Sequence, residues 1–242
     1  MPPSTGLPKI QKNATLEEMA YQQIKQGIIN GIFAPGEFMA EVRLAETLGI
    51  SKTPVRKAMS RLQQEQFLTN IPFAGYHVAE ISIADILEVY ELREILECFL
   101  VKETVGHFSP AEITSMRKTL DQAGTALSQN DYTNFVEFNR QFHHSFDRKY
   151  ANQRISSVLT NLDEHVHRIL IYLFPDEQRE LSISHQEHFQ ILNAIITEDA
   201  DAAVAHMHNH LARFRDVLVA LRQKRGQLKI QPPLQPILQP EP

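Results

Sequence analysis

Apolar residues in this chain recur at helical spacing along most of its length, and one short stretch alternates instead. After Thr15, which is placed to cap a helix with Glu18 completing a capping box, Met19, Ile24, Ile28 and Ile29 share one side until Asn30-Gly31 ends the pattern. Phe33-Ala34-Pro35-Gly36 reads as a turn. Leu44, Ala45 and Leu48 form the next stripe, which Gly49 stops with a left-handed residue. Ser51 stands at an N-cap and Pro54 in a first turn, where a missing N–H costs little. Val55, Met59 and Leu62 then face inward on a helix running to about Gln66, while Lys52, Arg56 and Lys57 face outward. Phe67–Ile71 and Tyr76–Ala79 read as a two-stranded hairpin around Pro72-Phe73-Ala74-Gly75. Helix, glycine turn, basic helix and β-ribbon predict a winged helix-turn-helix over residues 15–80. Gly75 at the wing tip either lets backbone approach a groove or phosphate or simply satisfies the turn, and the two are compatible.

Residues 82–226 carry no strand pattern. They read as helices over roughly 83–107, 109–129, 131–150, 152–174, 178–198 and 200–225, with Ser82, Ser109 and Asp131 as caps and Pro110 and Pro175 as punctuation. Helices of this length need a common core, so a second, all-α bundle is expected. The predicted fold is therefore mainly α: a winged helix-turn-helix followed by a helical bundle. Residues 1–14 read as a disordered arm and the Pro/Gln-rich residues 227–242 as a disordered tail.

Composition changes this picture little, but charge sharpens it. The formal net charge is −5, yet residues 51–61 hold four basic side chains and no acid. A local positive field is what phosphates feel, and the acidic remainder argues against non-specific coating of DNA. The candidate DNA-contacting set is Arg43, Ser51, Lys52, Thr53, Arg56, Lys57 and Gly75. No apolar run approaches the ~20 residues that span a bilayer, and the first residues lack a basic and an apolar signal region, so neither membrane nor export is expected. The single cysteine, Cys98, excludes an internal disulfide and fits a cytoplasmic protein; in an apolar helix it reads as a core residue.

Eleven histidines are many for 242 residues, and they concentrate between 143 and 210. His107, His144, His165 and His167 read as surface or interfacial. Asn139 and His143 are four apart, on one helix face. His188 and His210 are equidistant from the Glu198–Asp201 turn, so an antiparallel helix hairpin sets them side by side. Three imidazoles and a side-chain oxygen suit zinc, nickel or manganese; alternatively, they are polar core residues bonded to one another. His206, four before His210, is a rival ligand. Arg93 falls within the apolar stripe Ile86, Val89, Tyr90, Leu96 and Leu100, where it requires either an internal acid such as Glu97 or a carboxylate ligand. No nucleophile–base constellation and no glycine-rich phosphate loop is apparent, so an enzyme is not expected.

Ile32-Phe33-Ala34-Pro35-Gly36-Glu37, Leu44-Ala45-Glu46, Leu48-Gly49-Ile50-Ser51-Lys52-Thr53-Pro54-Val55-Arg56 and Ala58 resemble the GntR family of bacterial transcription regulators. The helical second domain resembles the FCD effector domain rather than the β-rich domain of the HutC branch. Lys52 departs from the family's usual arginine and Lys57 from its glutamate; lysine keeps charge but lacks the fork that reads guanine. The resemblance implies a homodimer on a palindromic operator, controlled by a small organic acid, with repression the commoner mode. It also implies a metal held by an acid four residues before a first histidine, plus three histidines. The matching positions are Asn139, which replaces the acid, His143, His188 and His210, with Arg93 as effector clamp. A metal-dependent enzyme fused to a DNA-binding module is the alternative.

Overall fold

The computed structural model describes residues 15–173 and 178–226. The chain divides into two compact units, one of residues up to Ile28 with Ile32–Ala79, the other of Ile29–Gly31 with Glu80 onward. The expected arm, the expected tail and Pro175 lie outside the described residues.

The first unit contains α1 (Leu16–Ile29), α2 (Glu41–Leu48), α3 (Lys52–Gln64), β1 (Leu68–Ile71) and β2 (Gly75–Val78). Thr15 Oγ1 accepts the Glu18 N–H at 3.1 Å. Glu18 does not reach back, because its carboxylate takes Gln22 and Arg61 instead, so only half of the expected capping box forms. Ala20, Tyr21, Ile24 and Ile28 are buried, whereas Met19 is 55% exposed. The i, i+4 row through Ala20 fixes the buried face, and Met19 lies a 100° step off it. Gly49 ends α2 at φ 65°, its N–H and that of Ile50 returning to carbonyls of the last turn. An added Cβ there would meet nothing within 4 Å, so the backbone angle alone favours glycine. Ser51 occupies the N-cap of α3, but its side chain accepts no hydrogen bond from the helix. Val55, Ala58, Met59 and Leu62 are buried.

The wing is antiparallel, with Leu68 opposite Val78 and Ile71 opposite Gly75. Phe73, at φ 64° and with a fully exposed ring, forms the tip. Gly75 is therefore not at the tip but opens β2, where φ is 81° and a Cβ would crowd Phe38 at 3.1 Å. Residues 36–39, of which the sequence suggested only a turn ending at Gly36, also pair with β2. Gly36 N–H donates to Val78, Val78 N–H to Glu37, and Met39 N–H to Tyr76.

The second unit contains α4 (Ile83–Thr104), α5 (Pro110–Ser128), α6 (Tyr132–Tyr150), α7 (Gln153–Leu173), α8 (Gln178–Ile196) and α9 (Ala200–Gly226). Ser82 with Asp85 and Ser109 with Glu112 form complete capping boxes, and Asp131 accepts the Asn134 N–H. α4 packs against α6, α7 and α9. Ile86, Tyr90, Leu100, Phe135, Phe142, Phe146, Ile191, Met207 and Leu218 fill the shared core. α8 and α9 form the expected hairpin, with Glu198 at φ 55° in the turn and Asp199 capping α9 through the Ala202 N–H.

His144 is not a surface residue. It is buried between Asp147 on α6, at 2.9 Å, and Asp163 on α7, at 2.7 Å. Burial pulls its pKa down, but the hydrogen bond to Asp147 and the Asp163 carboxylate close to its other nitrogen outweigh this and raise it to about 9. A folded value above the unfolded ~6.5 contributes stability that is complete below pH ~6.5 and lost as pH rises through about 9. Urea unfolding from pH 6 to 9.5 should therefore show wild-type stability falling, by on the order of 2 kcal/mol from this group. His144→Gln should start lower and lose that slope; an unchanged slope would contradict the assignment.

Candidate functional site

In the first unit, Ser51, Lys52, Thr53, Arg56 and Lys57 lie exposed along the start of α3, and Arg43 is exposed on α2. The same helical phase that buries Val55, Ala58 and Met59 turns them outward. Most of the cations hold acids of their own unit. Arg56 grips Glu41 through a fork, with Nε–Oε2 3.0 Å and Nη2–Oε2 2.9 Å. Arg43 approaches Glu37 at 3.7 Å and Lys57 approaches Glu17 at 3.4 Å. Lys52 has no ion pair among the described residues.

In the second unit, α6 supplies His143, α8 His188 and α9 His210, all buried. The Nε2 atoms of His143 and His188 are 3.0 Å apart, and those of His188 and His210 3.1 Å. The hairpin symmetry about residue 199 sets His188 beside His210, and α6 brings His143 across. Asn139, one turn before His143, has a buried Oδ1 with no hydrogen-bond partner among the described residues. His206 is not part of the cluster.

The protons of these rings are constrained. His143 Nδ1 faces a Glu97 carboxylate oxygen, and His210 Nδ1 lies 2.9 Å from Glu187 Oε2. Burial and the neighbouring imidazoles push His188 well below its ordinary pKa. Burial also carries His210 down to about 4, against the opposing bond to Glu187. A neutral imidazole has one N–H; placed on Nδ1 to meet a carboxylate, it leaves Nε2 a lone pair. In that tautomer His143 and His210 each turn an Nε2 lone pair toward His188. Three nitrogen donors and an unsatisfied amide oxygen lining one buried cavity are the donor set of a borderline divalent cation.

Beside the histidines lies a cavity of about 60 Å³, bounded also by Arg93, Asn139, Arg140, Asp163 and His167. Arg93 is buried, donating from Nε to Glu97 Oε1 at 2.7 Å, with Asp163 at 3.9 Å. Burial opposes both charges, yet the pair holds Glu97 well below the usual carboxylate range and Arg93 above its own. Arg93 thus has an internal partner, one of the two alternatives its position raised, and also lines the cavity. The sequence reading missed Arg140, which forks onto Glu137 at 2.8 Å, and Asp163; His167, expected to be surface or interfacial, lines the cavity as well. Arg140 adjoins Asn139, which could have drawn notice; nothing local marks Asp163 or His167.

The family of bacterial regulatory proteins named gntR matches residues 16–78, and the FCD domain matches residues 88–213. The HTH-type transcriptional regulator YdhC of Bacillus subtilis (strain 168) is 26% identical over 203 residues, covering 84% of this chain and 90% of YdhC. The HTH-type transcriptional repressor RspR of Escherichia coli (strain K12) is 22% identical over 209 residues, covering 86% and 91%. The solved structure of E. coli McbR/YncC shares the fold with a TM-score of 0.72 at 21% identity, covering 87% of this chain and all of that one. No helix among the described residues is long and apolar enough to cross a membrane. The fused-enzyme alternative finds no support in these relatives. The chain belongs to the GntR family of bacterial regulatory proteins, with an FCD domain behind its winged helix, and is a DNA-binding transcription regulator, not an enzyme.

Proposed function

We propose that this regulator is a cytoplasmic repressor that holds a divalent metal in its FCD domain and leaves its operator when a small carboxylate reaches that metal. The observation that carries the reading is the clustering of His143, His188 and His210 through their Nε2 atoms, at a cavity that Arg93, Arg140 and Asn139, with its orphaned Oδ1, also line. His143, His188, His210 and Asn139 would hold zinc, nickel or manganese, which would supply a Lewis-acidic position for an anion. All four donors are neutral, so none of them cancels the charge of a dication. An anionic effector suits that imbalance, and Arg93 at the cavity wall favours the same sign. Binding would act by preferring one arrangement of the protein over another. Of the relatives, RspR is named a repressor, which favours repression here.

The proposed homodimer has support in α4, where Leu92, Ile95 and Phe99 are exposed on one face and Tyr150 packs edge-on against Phe99. A second copy is the covering surface that the family resemblance implies, and a dimer matches two recognition helices to a palindromic operator. On DNA, Lys52, Arg56 and Lys57, with Ser51, Thr53, Arg43 and the wing residue Gly75, form the proposed contact set.

Three outcomes test this. Arg56→Ala should weaken binding to a duplex selected by the wild type at least tenfold while the oligomeric state in ultracentrifugation stays the same; unchanged affinity would sink the recognition-helix assignment. Wild-type protein grown with zinc, nickel or manganese should carry close to one metal per chain by elemental analysis, and His188→Ala with His210→Ala should carry little. Equal metal content would reject the ligand set. Arg93→Lys keeps a charge for Glu97 but loses the fork. It should bind DNA normally and lose the response to the active acid found in a thermal-shift screen of small carboxylates, whereas a wild-type response would confine Arg93 to structure.

A further inference from the structure

Two of the three imidazoles are tied from behind by the same kind of chain, one from α4 and the other from α8 and α9. In the first, Arg93 holds Glu97, and Glu97 meets Nδ1 of His143. In the second, Arg213 holds Glu187 through Nε and Nη2, and Glu187 meets Nδ1 of His210. Arg213 is itself held by Glu180 at 2.9 Å. His188 has no such support: its Nδ1 is buried without a hydrogen-bond partner among the described residues.

We propose that Glu97 and Glu187 are positioning residues of the metal site, fixing His143 and His210 as Nδ1–H tautomers whose Nε2 atoms face the metal. This rests on the metal reading above. Without an acceptor at Nδ1, each ring could place its proton on Nε2, and the 3.0 and 3.1 Å spacings would then be ordinary hydrogen bonds of a polar core. With carboxylates claiming two Nδ1 protons, His188 alone can donate inward, and one N–H cannot satisfy two neighbours. A carboxylate behind a ligating imidazole also raises its basicity, and losing such a partner typically costs 10–100-fold in metal affinity. Each carboxylate is held in place by an arginine, Glu97 by Arg93 and Glu187 by Arg213.

The two supports are not equivalent. Glu97 is enclosed, with Arg93 dependent on it, so its removal endangers the fold. Glu187 is only partly buried, and its arginine keeps both Glu180 and solvent, so the test belongs there. Cobalt(II) serves as the probe, because its visible absorption reports the ligand geometry and its affinity can be titrated. Glu187→Ala, checked for native circular dichroism, should bind cobalt 10–100-fold more weakly than wild type with an altered visible band. Glu187→Gln, which retains an acceptor oxygen, should fall between them. Glu180→Ala, which loosens Arg213 without touching a histidine, should stay within about threefold of wild type, well short of the loss expected for a direct partner. Wild-type affinity and spectrum in Glu187→Ala would overturn the positioning role while leaving the metal site standing. An equal loss in Glu180→Ala would overturn it too, by tracing the effect to α8–α9 packing. Absence of cobalt binding by the wild type would overturn the metal site and this inference together.

Discussion

Glu97 keeps its charge in a place water barely reaches, and the geometry of the helical unit follows from what makes that tolerable. Arg93, one turn earlier on α4, supplies the compensating charge, and His143 on α6 takes the second carboxylate oxygen. A buried carboxylate stripped of one partner costs about 3–5 kcal/mol, a large part of a domain's usual stability margin. α4 and α6 therefore cannot slide past one another without exposing that cost. The same constraint sets the direction of the His143 ring and presents Arg93 to the cavity. A single ionic contact thus holds core, candidate ligand and cavity wall in one register.

What the sequence made legible was whatever depends on local geometry. Gly49 ends its helix left-handed, Ser82 and Ser109 build capping boxes with acids three residues on, and the 199 turn sets His188 beside His210. Each follows from spacing along one element or across one hairpin. The errors share a cause as well. Met19 was assigned to the buried side because it is apolar, yet the face is chosen by the neighbours that Ala20, Ile24 and Ile28 meet. His144 was read as surface or interfacial because its second acid, Asp163, is nineteen positions away on another helix. Arg140, Asp163 and His167 become cavity residues only when α6 and α7 come together, which periodicity does not encode. The pairing of residues 36–39 with β2 is non-local in the same way.

On the DNA-binding face, exposed cations already paired with acids look at first like an obstacle. Magnitudes argue otherwise. An exposed ion pair contributes about 0–1 kcal/mol, whereas a good bidentate base contact discriminates by about 1–3 kcal/mol. Arg43–Glu37 and Lys57–Glu17, at 3.7 and 3.4 Å with both cations exposed, are weak enough for a phosphate to displace. Arg56–Glu41 differs because the fork is bidentate and Glu41 is three-quarters buried. A guanidinium held there is oriented before DNA arrives, and less side-chain entropy remains to be lost on contact. The acids also lower the local field, so non-specific attraction is reduced more than base-specific contact.

The histidine cluster applies the same reasoning inside the protein. As ligands, three imidazoles and an amide offer donors without charge, while Glu97 and Glu187, which meet the Nδ1 atoms of His143 and His210, are already matched by Arg93 and Arg213. Under the proposed function, a dication would enter a site whose surrounding charges are balanced before it arrives. With aspartate at 139, the protein would neutralise half of the ion's charge itself; with Asn139 it does not. The remaining attraction falls on whatever anion can fit the cavity. The substitution that departs from the family resemblance therefore moves electrostatic weight from the protein to the effector, which is where a sensor needs it.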